Sequence, residues 1–312
     1  FIFGKTGSGK SLTIQYVCSN ILSIAEKNKL PIKILYLNCK LKRIADTEYR
    51  LIAQLAREFG VEVPATGLPT DEIYKLFIKA IEKDKILLMI ILDEIDQLVK
   101  KIGDEILYNL TRLNTELKNA EISLIGISND LVFTDNLDPR VKSSLSEEEV
   151  VFPPYNAIQL QDILKQRAKA AFRENILEEG VIEKCSAYAA REHGDARRAL
   201  ELLRVAGEIA ERKGKSSIKI SDIDDAEEKI ERDRVIDTIN TQPKQFKLAL
   251  YSIINIHNKN ASSNMPIFTG EIYDLYKDAC FKSGLRPLTQ RRVSDIIAEM
   301  DMLGIITTRV IS

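Results

Sequence analysis

No cysteine pair in this 312-residue chain stands at metal-binding or redox spacing. Cys18, Cys39, Cys185 and Cys280 lie far apart, with no CxxC among them. That argues against zinc and against a disulfide framework, and it fits a reducing cytosol. Long apolar runs are missing as well. The longest, residues 86–92, is far too short to cross a bilayer, and no signal peptide is legible. Nor does one sign of charge dominate: 45 Lys and Arg stand against 46 Asp and Glu, a net charge of −1. Any nucleic-acid surface must therefore be local rather than global. No internal repeat or low-complexity segment stands out. What the chain does have is 45% hydrophobic residues, enough for real cores, and a length that suggests two or three domains. It opens at Phe1 inside an apolar run and stops at Ser312, and both ends read as cut.

Up to about residue 155, short apolar runs alternate with amphipathic helical stretches. The runs cover residues 1–3, 32–37, 86–92 and 122–127, with 149–152 as a fifth. Such alternation predicts βαβ units and a parallel sheet covered by helices. Pro153 and Pro154 then interrupt the pattern, which places a domain boundary there. Helical patterns follow over 160–175, 178–193 and 195–213. A short fourth helix is expected from Ser221, with Asp224 at capping-box spacing. From Arg234 on, helices are expected over 243–257, 269–283 and 289–303, the last ending at Gly304. A β-branched run, 305–311, comes next. Three helices leading into a strand is the order of a winged helix, a helix-turn-helix variant. The expected partition is 1–156, 157–233 and 234–312: an α/β nucleotide-binding core, a small helical domain, and a winged helix.

Gly4-Lys5-Thr6-Gly7-Ser8-Gly9-Lys10-Ser11 matches the phosphate-binding pattern G-x-x-x-x-G-K-[ST] in full. It follows a strand and precedes a helix whose apolar positions read as Leu12, Tyr16 and Val17. The glycines let backbone N–H groups curl toward phosphate, and the helix N-terminus adds positive partial charge. Lys10 is expected to neutralise β- and γ-phosphate charge, and Ser11 to ligate Mg²⁺. The run at 86–92 ends in Asp93 and Glu94. Asp93 is the metal residue by position, and Glu94 the one to orient or deprotonate the attacking water. Asn129, just after the fourth run, lies where ligands bind in such sheets and can orient that water.

These motifs in this order resemble AAA+ ATPases: residues 4–11, Asp93-Glu94-Ile95-Asp96, and Ile127-Ser128-Asn129. Leu137-Asp138-Pro139-Arg140, the run Val150-Val151-Phe152-Pro153-Pro154-Tyr155, and Gly194-Asp195-Ala196-Arg197-Arg198-Ala199 narrow the likeness. With a C-terminal winged helix they resemble the archaeal origin recognition complex subunit 1 / cell division control protein 6 family of replication initiators. The resemblance implies an α/β AAA+ P-loop core, a helical lid and a C-terminal winged helix. It implies ATP or ADP with Mg²⁺ between core and lid, and slow hydrolysis used as a switch. Asn129 becomes sensor 1 and Arg197 the sensor 2 arginine reaching the γ-phosphate, while Arg140 lies in the segment that offers an arginine finger to a neighbour. The implied partners are origin duplex DNA, the replicative MCM helicase and a paralogous initiator subunit, all in the cytoplasm at the nucleoid. The family's adenine-contacting segment before the P-loop and its second wing strand have no counterpart in this sequence.

A nucleic-acid face is legible near the end of the chain. Between Ala279 and Ser294 stand Lys282, Arg286, Arg291 and Arg292, with no acid. Val293, Ile296, Ile297, Met300 and Leu303 fall at core spacing on the third helix, which turns Gln290, Arg291 and Ser294 outward. Thr289 is the expected N-cap, and helix-turn-helix readers meet bases at such a helix start. From Arg234 on, ten Lys and Arg face seven Asp and Glu. Lys40, Lys42 and Arg43 form a weaker second candidate. Two other readings stay open: a clamp-loader subunit with a helical collar, and a signalling ATPase whose winged helix contacts protein.

Overall fold

The computed structural model describes residues 1–41, 46–64, 67–145, 148–260 and 266–309. They fold into two compact units, residues 1–223 and 224–312.

The first unit opens with β1 (Ile2–Gly4), α1 (Lys10–Asn28) and β2 (Ile32–Asn38). Next come α2 (Glu48–Arg57), α3 (Thr70–Ile81), β3 (Leu87–Asp93), α4 (Ile95–Ile102) and α5 (Glu105–Glu116). β4 (Glu121–Ser128), α6 (Pro139–Leu145) and β5 (Val150–Phe152) complete the α/β part. The five strands form one sheet in the order β2-β3-β4-β1-β5, and every pairing is parallel. A central parallel strand is covered on both faces, hence the unbroken apolar run: Leu88, Ile90, Ile91 and Leu92 are fully buried. The larger core lies under α2 to α6 and includes Leu51, Ile73, Phe77 and Leu98. The other face is covered by α1 through Ile14 and Cys18 against Ile2, Ile91 and Ile127. Leu12, Tyr16 and Val17, the expected apolar positions, are instead exposed at 62%, 68% and 41%. The helix carries apolar residues on several faces, so its periodicity alone does not say which face the sheet takes.

Register determines what the sheet presents at its edge. Phe3 pairs with Ser128, Asp93 with Ile127, and Asn38 with Asp93. The ends of β1, β2, β3 and β4 therefore finish at one level, on the carboxyl edge. Since β2 follows β1 in sequence but lies three places away in the sheet, the edge above β1 is left open for a ligand.

The helical part contains α7 (Ala157–Ala171), α8 (Val181–Glu192), α9 (Ala196–Arg212) and the start of α10 (Ile220–Thr241). A capping box, Asn156 with Gln159, starts α7 directly after the prolines. The fourth helix is not short: it has 22 residues and runs through the expected seam at 233/234. No Gly or Pro occurs within it to end it. It starts at Ile220, one residue before the expected Ser221, and Asp222 holds that start. The fully buried Asp222 carboxylate accepts the Lys219 N–H at 2.9 Å and pairs with Lys215.

In the second unit, α11 (Lys244–Lys259), α12 (Thr269–Lys282) and α13 (Gln290–Met302) pack around Phe246, Tyr276, Val293 and Met300. Leu303, expected in this core, is 42% exposed. Gly304 ends α13 with φ +70°, and the Ile305 N–H returns to the Met300 carbonyl at 3.0 Å. The expected strand over 305–311 is absent from its described part, residues 305–309. A strand needs a neighbour to pair with, and none of the described residues of this unit forms one. Thr308 bonds instead to the Asp301 carboxylate through N–H and Oγ1, at 3.3 and 2.7 Å.

Candidate nucleotide site and nucleic-acid interface

Residues 4–11 leave β1 and turn straight into α1. Gly7 and Gly9 hold φ of +77° and +86°, a region that L side chains avoid. Space forbids a side chain at both. A Cβ on Gly7 would lie 1.7 Å from Asp195 Oδ1, and one on Gly9 2.3 Å from the Tyr155 hydroxyl. The loop is thereby clamped to the helical part, and the Ala196 N–H also reaches the Gly7 carbonyl at 3.3 Å. Gly7→Ala is expected to cost about 1–3 kcal/mol through backbone strain alone, read as a lower denaturant midpoint. An unchanged midpoint would overturn the left-handed backbone at Gly7 as a source of strain.

Lys10 is only 5% exposed. Its ammonium donates to the carbonyls of Gly4 and Lys5 at 2.7 and 2.9 Å and to Asn129 Oδ1 at 2.9 Å. Burial pushes its pKa below the usual lysine value; nearby Asp93 opposes that, and nearby Arg197 adds to it. Ser11 Oγ donates to Asp93 Oδ2 at 3.0 Å, and the Tyr36 hydroxyl donates to the same oxygen. Burial and the Asp93 carboxylate push the Tyr36 pKa up to about 12, so the phenol keeps its proton. Asp93 Oδ1 accepts the Glu94 N–H at 3.0 Å. Ser11 and Asp93 thus offer two adjacent hard oxygens at the P-loop, a donor set that fits Mg²⁺, which takes few protein ligands and completes its shell with water and phosphate.

Glu94 stands at the start of α4 with φ +56°, and its carboxylate meets Lys40 at 3.8 Å. Lys40 thus faces the nucleotide groove, not an isolated basic surface. Lys42 and Arg43 lie outside the described residues. Asp96 is 4% exposed and accepts from Ser128 Oγ at 3.2 Å, which ties the start of α4 to the end of β4. Asp195 caps α9 by accepting the Arg197 N–H at 2.7 Å. Arg197 is exposed on the first turn of α9 and lines the same groove as Lys10, Ser11, Asp93, Glu94 and Asn129, a space of about 620 Å³. Arg140 is not brought there. Its side chain is 90% exposed and leans on Asp138 at 3.7 Å. Tyr36, Asp195, Tyr155 and Arg167 also belong to the groove or its walls and escaped the sequence reading. Tyr155 and Asp195 carried a signal, as members of the runs 150–155 and 194–199 that narrow the likeness.

In the second unit the side chains of Lys282, Arg286, Gln290, Arg291, Arg292 and Ser294 are all exposed. Thr289 caps α13 by accepting the Arg292 N–H at 3.4 Å. Arg292 also leans on Asp295 at 3.4 Å, an exposed pair that holds it only weakly. The turn before α13 is tied down from two helices. The Tyr276 hydroxyl accepts the Leu288 N–H at 3.2 Å and donates to Gln245 Oε1, and Gln245 Nε2 donates to the Arg286 carbonyl at 3.0 Å.

Family models match this chain in three successive stretches. They are an AAA domain over residues 1–132, a Cdc6 AAA+ ATPase-type lid domain over 161–228, and the CDC6 C-terminal winged helix domain over 237–312. With the parallel sheet and its P-loop, these define an AAA+ P-loop protein with a lid and a winged helix. An ORC1-type DNA replication protein of Pyrococcus abyssi is 52% identical over 316 aligned residues, which span all of this chain and 74% of that protein. ORC1-type DNA replication protein 1 of Archaeoglobus fulgidus is 53% identical over all of the chain and 74% of its own length. The chain belongs to the ORC1-type family of DNA replication proteins. Among solved structures, the Aeropyrum pernix ORC1 protein in complex with DNA aligns with TM-score 0.74 at 45% identity, over all of this chain and 79% of that one. The winged-helix match answers the clamp-loader alternative, which called for a helical collar at this place. No helix among the described residues is long and apolar enough to cross a membrane.

Proposed function

We propose that this protein is an ATP-switched initiator that binds origin duplex DNA and helps load the replicative MCM helicase, in the cytoplasm at the nucleoid. The observation that carries the DNA reading is the acid-free cation cluster from Lys282 to Arg292, exposed around the capped start of α13. A relative of known structure, the A. pernix ORC1 protein, was solved in complex with DNA. In this reading Arg291, Arg292, Lys282 and Arg286 meet phosphates or base edges, and Gln290 and Ser294 face the groove. The three functional parts are residues 1–156, 157–233 and 234–312, with α10 carrying the chain from the second to the third.

In the nucleotide groove, the P-loop amides and Lys10 would hold the phosphates, and Ser11 and Asp93 would hold Mg²⁺, which would supply neutralisation of phosphate charge. Glu94 accepts the proton of the attacking water, Asn129 orients that water, and Arg197 reaches the γ-phosphate from the lid. A guanidinium on the first turn of α9 is disfavoured by the helix dipole, so an anionic partner relieves it. Arg140, exposed and remote from its own groove, acts on a neighbouring subunit's nucleotide, a paralogue included. ATP and ADP differ in the γ-phosphate that Arg197 and Asn129 share, so nucleotide state biases the arrangement of core and lid. Hydrolysis is slow and serves as a timer, and the ATP state recruits the helicase.

Glu94→Gln tests the chemistry. ATP affinity is expected to stay within about threefold while hydrolysis falls about 10²–10⁴-fold, the usual contribution of a general base. Hydrolysis at the parent rate would place the base elsewhere. The reading as a whole is tested by duplex binding with origin-like and random sequence across a salt series, with ATP and with ADP. Equal, negligible affinity for both duplexes would sink it in favour of a winged helix that docks on protein.

A further inference from the structure

We propose that Gln245 and Tyr276 are positioning residues for DNA recognition: they set the turn that presents Arg286. The inference rests on the reading of this turn and helix as the DNA face. Recognition needs cations held at fixed places, because a mobile arginine must be ordered when it binds. The segment between α12 and α13 has no regular structure of its own to supply that order. Its backbone is held from outside instead. The Leu285 N–H returns to the Cys280 carbonyl at 2.9 Å. The Arg286 carbonyl takes Gln245 Nε2 at 3.0 Å. Both polar groups of Leu288 are bound by phenols, its N–H by Tyr276 at 3.2 Å and its carbonyl by Tyr273 at 3.1 Å. Tyr276 itself is fully buried, and its hydroxyl also donates to Gln245, so one chain of bonds joins α11, α12 and the turn.

The geometry is specific. Gln245 must accept from Tyr276 with its oxygen and donate to the turn with its nitrogen, which a carboxamide does and an apolar side chain of equal size does not. Arg286 therefore has its backbone fixed while its side chain stays exposed. Pro287 then limits the chain between the two pinned residues, Arg286 and Leu288.

The test is a double-mutant cycle between Gln245→Met and Arg286→Ala, with Tyr276→Phe as a second probe of the same network. The measurements are duplex affinity at fixed salt, ATP affinity, circular dichroism, and hydrogen exchange over residues 285–289. Gln245→Met is expected to weaken duplex binding about five- to tenfold, with ATP affinity and helix content unchanged and exchange in the turn faster. In the Arg286→Ala background the same change should cost less than about twofold, since residues that act through one another are not additive. Equal losses in both backgrounds, or none in either beside a normal loss from Arg286→Ala, would overturn the positioning role and leave the DNA reading standing. Parent affinity in Arg286→Ala would overturn the DNA reading of this turn and the inference with it. Should Tyr276→Phe fail to fold, the Gln245 cycle alone decides.

Discussion

Lys10→Ala is expected to weaken ATP binding by about 10²–10⁴-fold. The ammonium is buried among the Gly4, Lys5 and Asn129 oxygens, which take its three donors. Burial lowers its pKa by disfavouring the charged form, and a phosphate brought beside it favours that form. Two charge-assisted contacts to phosphate oxygens, each about 1.5–3 kcal/mol, give that range. Alanine also takes one donor from the Gly4 and Lys5 carbonyls, although Ser8 Oγ still donates to Lys5 at 2.8 Å. Direct titration with ATP, with circular dichroism as a folding check, makes the measurement. A folded variant with parent affinity would remove the P-loop from its assigned role.

Arg291→Ala/Arg292→Ala is expected to cut duplex binding and leave ATP binding unchanged. The cap on α13 uses the backbone N–H of Arg292, so alanine keeps it. The core residues Val293, Ile296, Ile297 and Met300 are untouched. Removing two cations from a first turn even favours the helix dipole slightly. If each arginine neutralises one phosphate, the slope of log affinity against log salt should fall by about 1.8. Between 50 and 200 mM salt, binding would then weaken about 12-fold less than in the parent. If one arginine reads a guanine edge instead, preference for the correct sequence should fall by about 1–3 kcal/mol. A folded double variant with the parent's affinity and slope would show that α13 does not touch DNA, and the protein-docking reading would replace it.

Much of this protein is legible in its sequence, for a physical reason. The P-loop, the acids after the third apolar run and the Thr289 cap are local: their chemistry comes from residues covalently close to one another. The parallel sheet was legible because burial on both faces leaves unbroken apolar runs such as residues 86–92. Helical patterns likewise marked α7, α8, α9, α11, α12 and α13, and Thr289 the start of the last.

Only the tertiary structure decided which distant groups meet. Tyr36 reaches Asp93 across 57 residues because β2 and β3 pair in one register. Asp195 occupies the space that a Gly7 side chain would need, a contact between segments with no common pattern. Gln245 and Arg286 meet across 41 residues when α11 packs beside the turn. Lys40 looked like a surface cation and stands beside Glu94. α1 carries apolar residues on more than one side, and only packing showed that Ile14 and Cys18 take the sheet while Tyr16 faces out. The β-branched tail after Gly304 has strand propensity, yet propensity places no hydrogen-bond partner beside it, and residues 305–309 form no strand. Local chemistry is written along the chain; contacts between remote segments depend on packing and register that no single segment encodes.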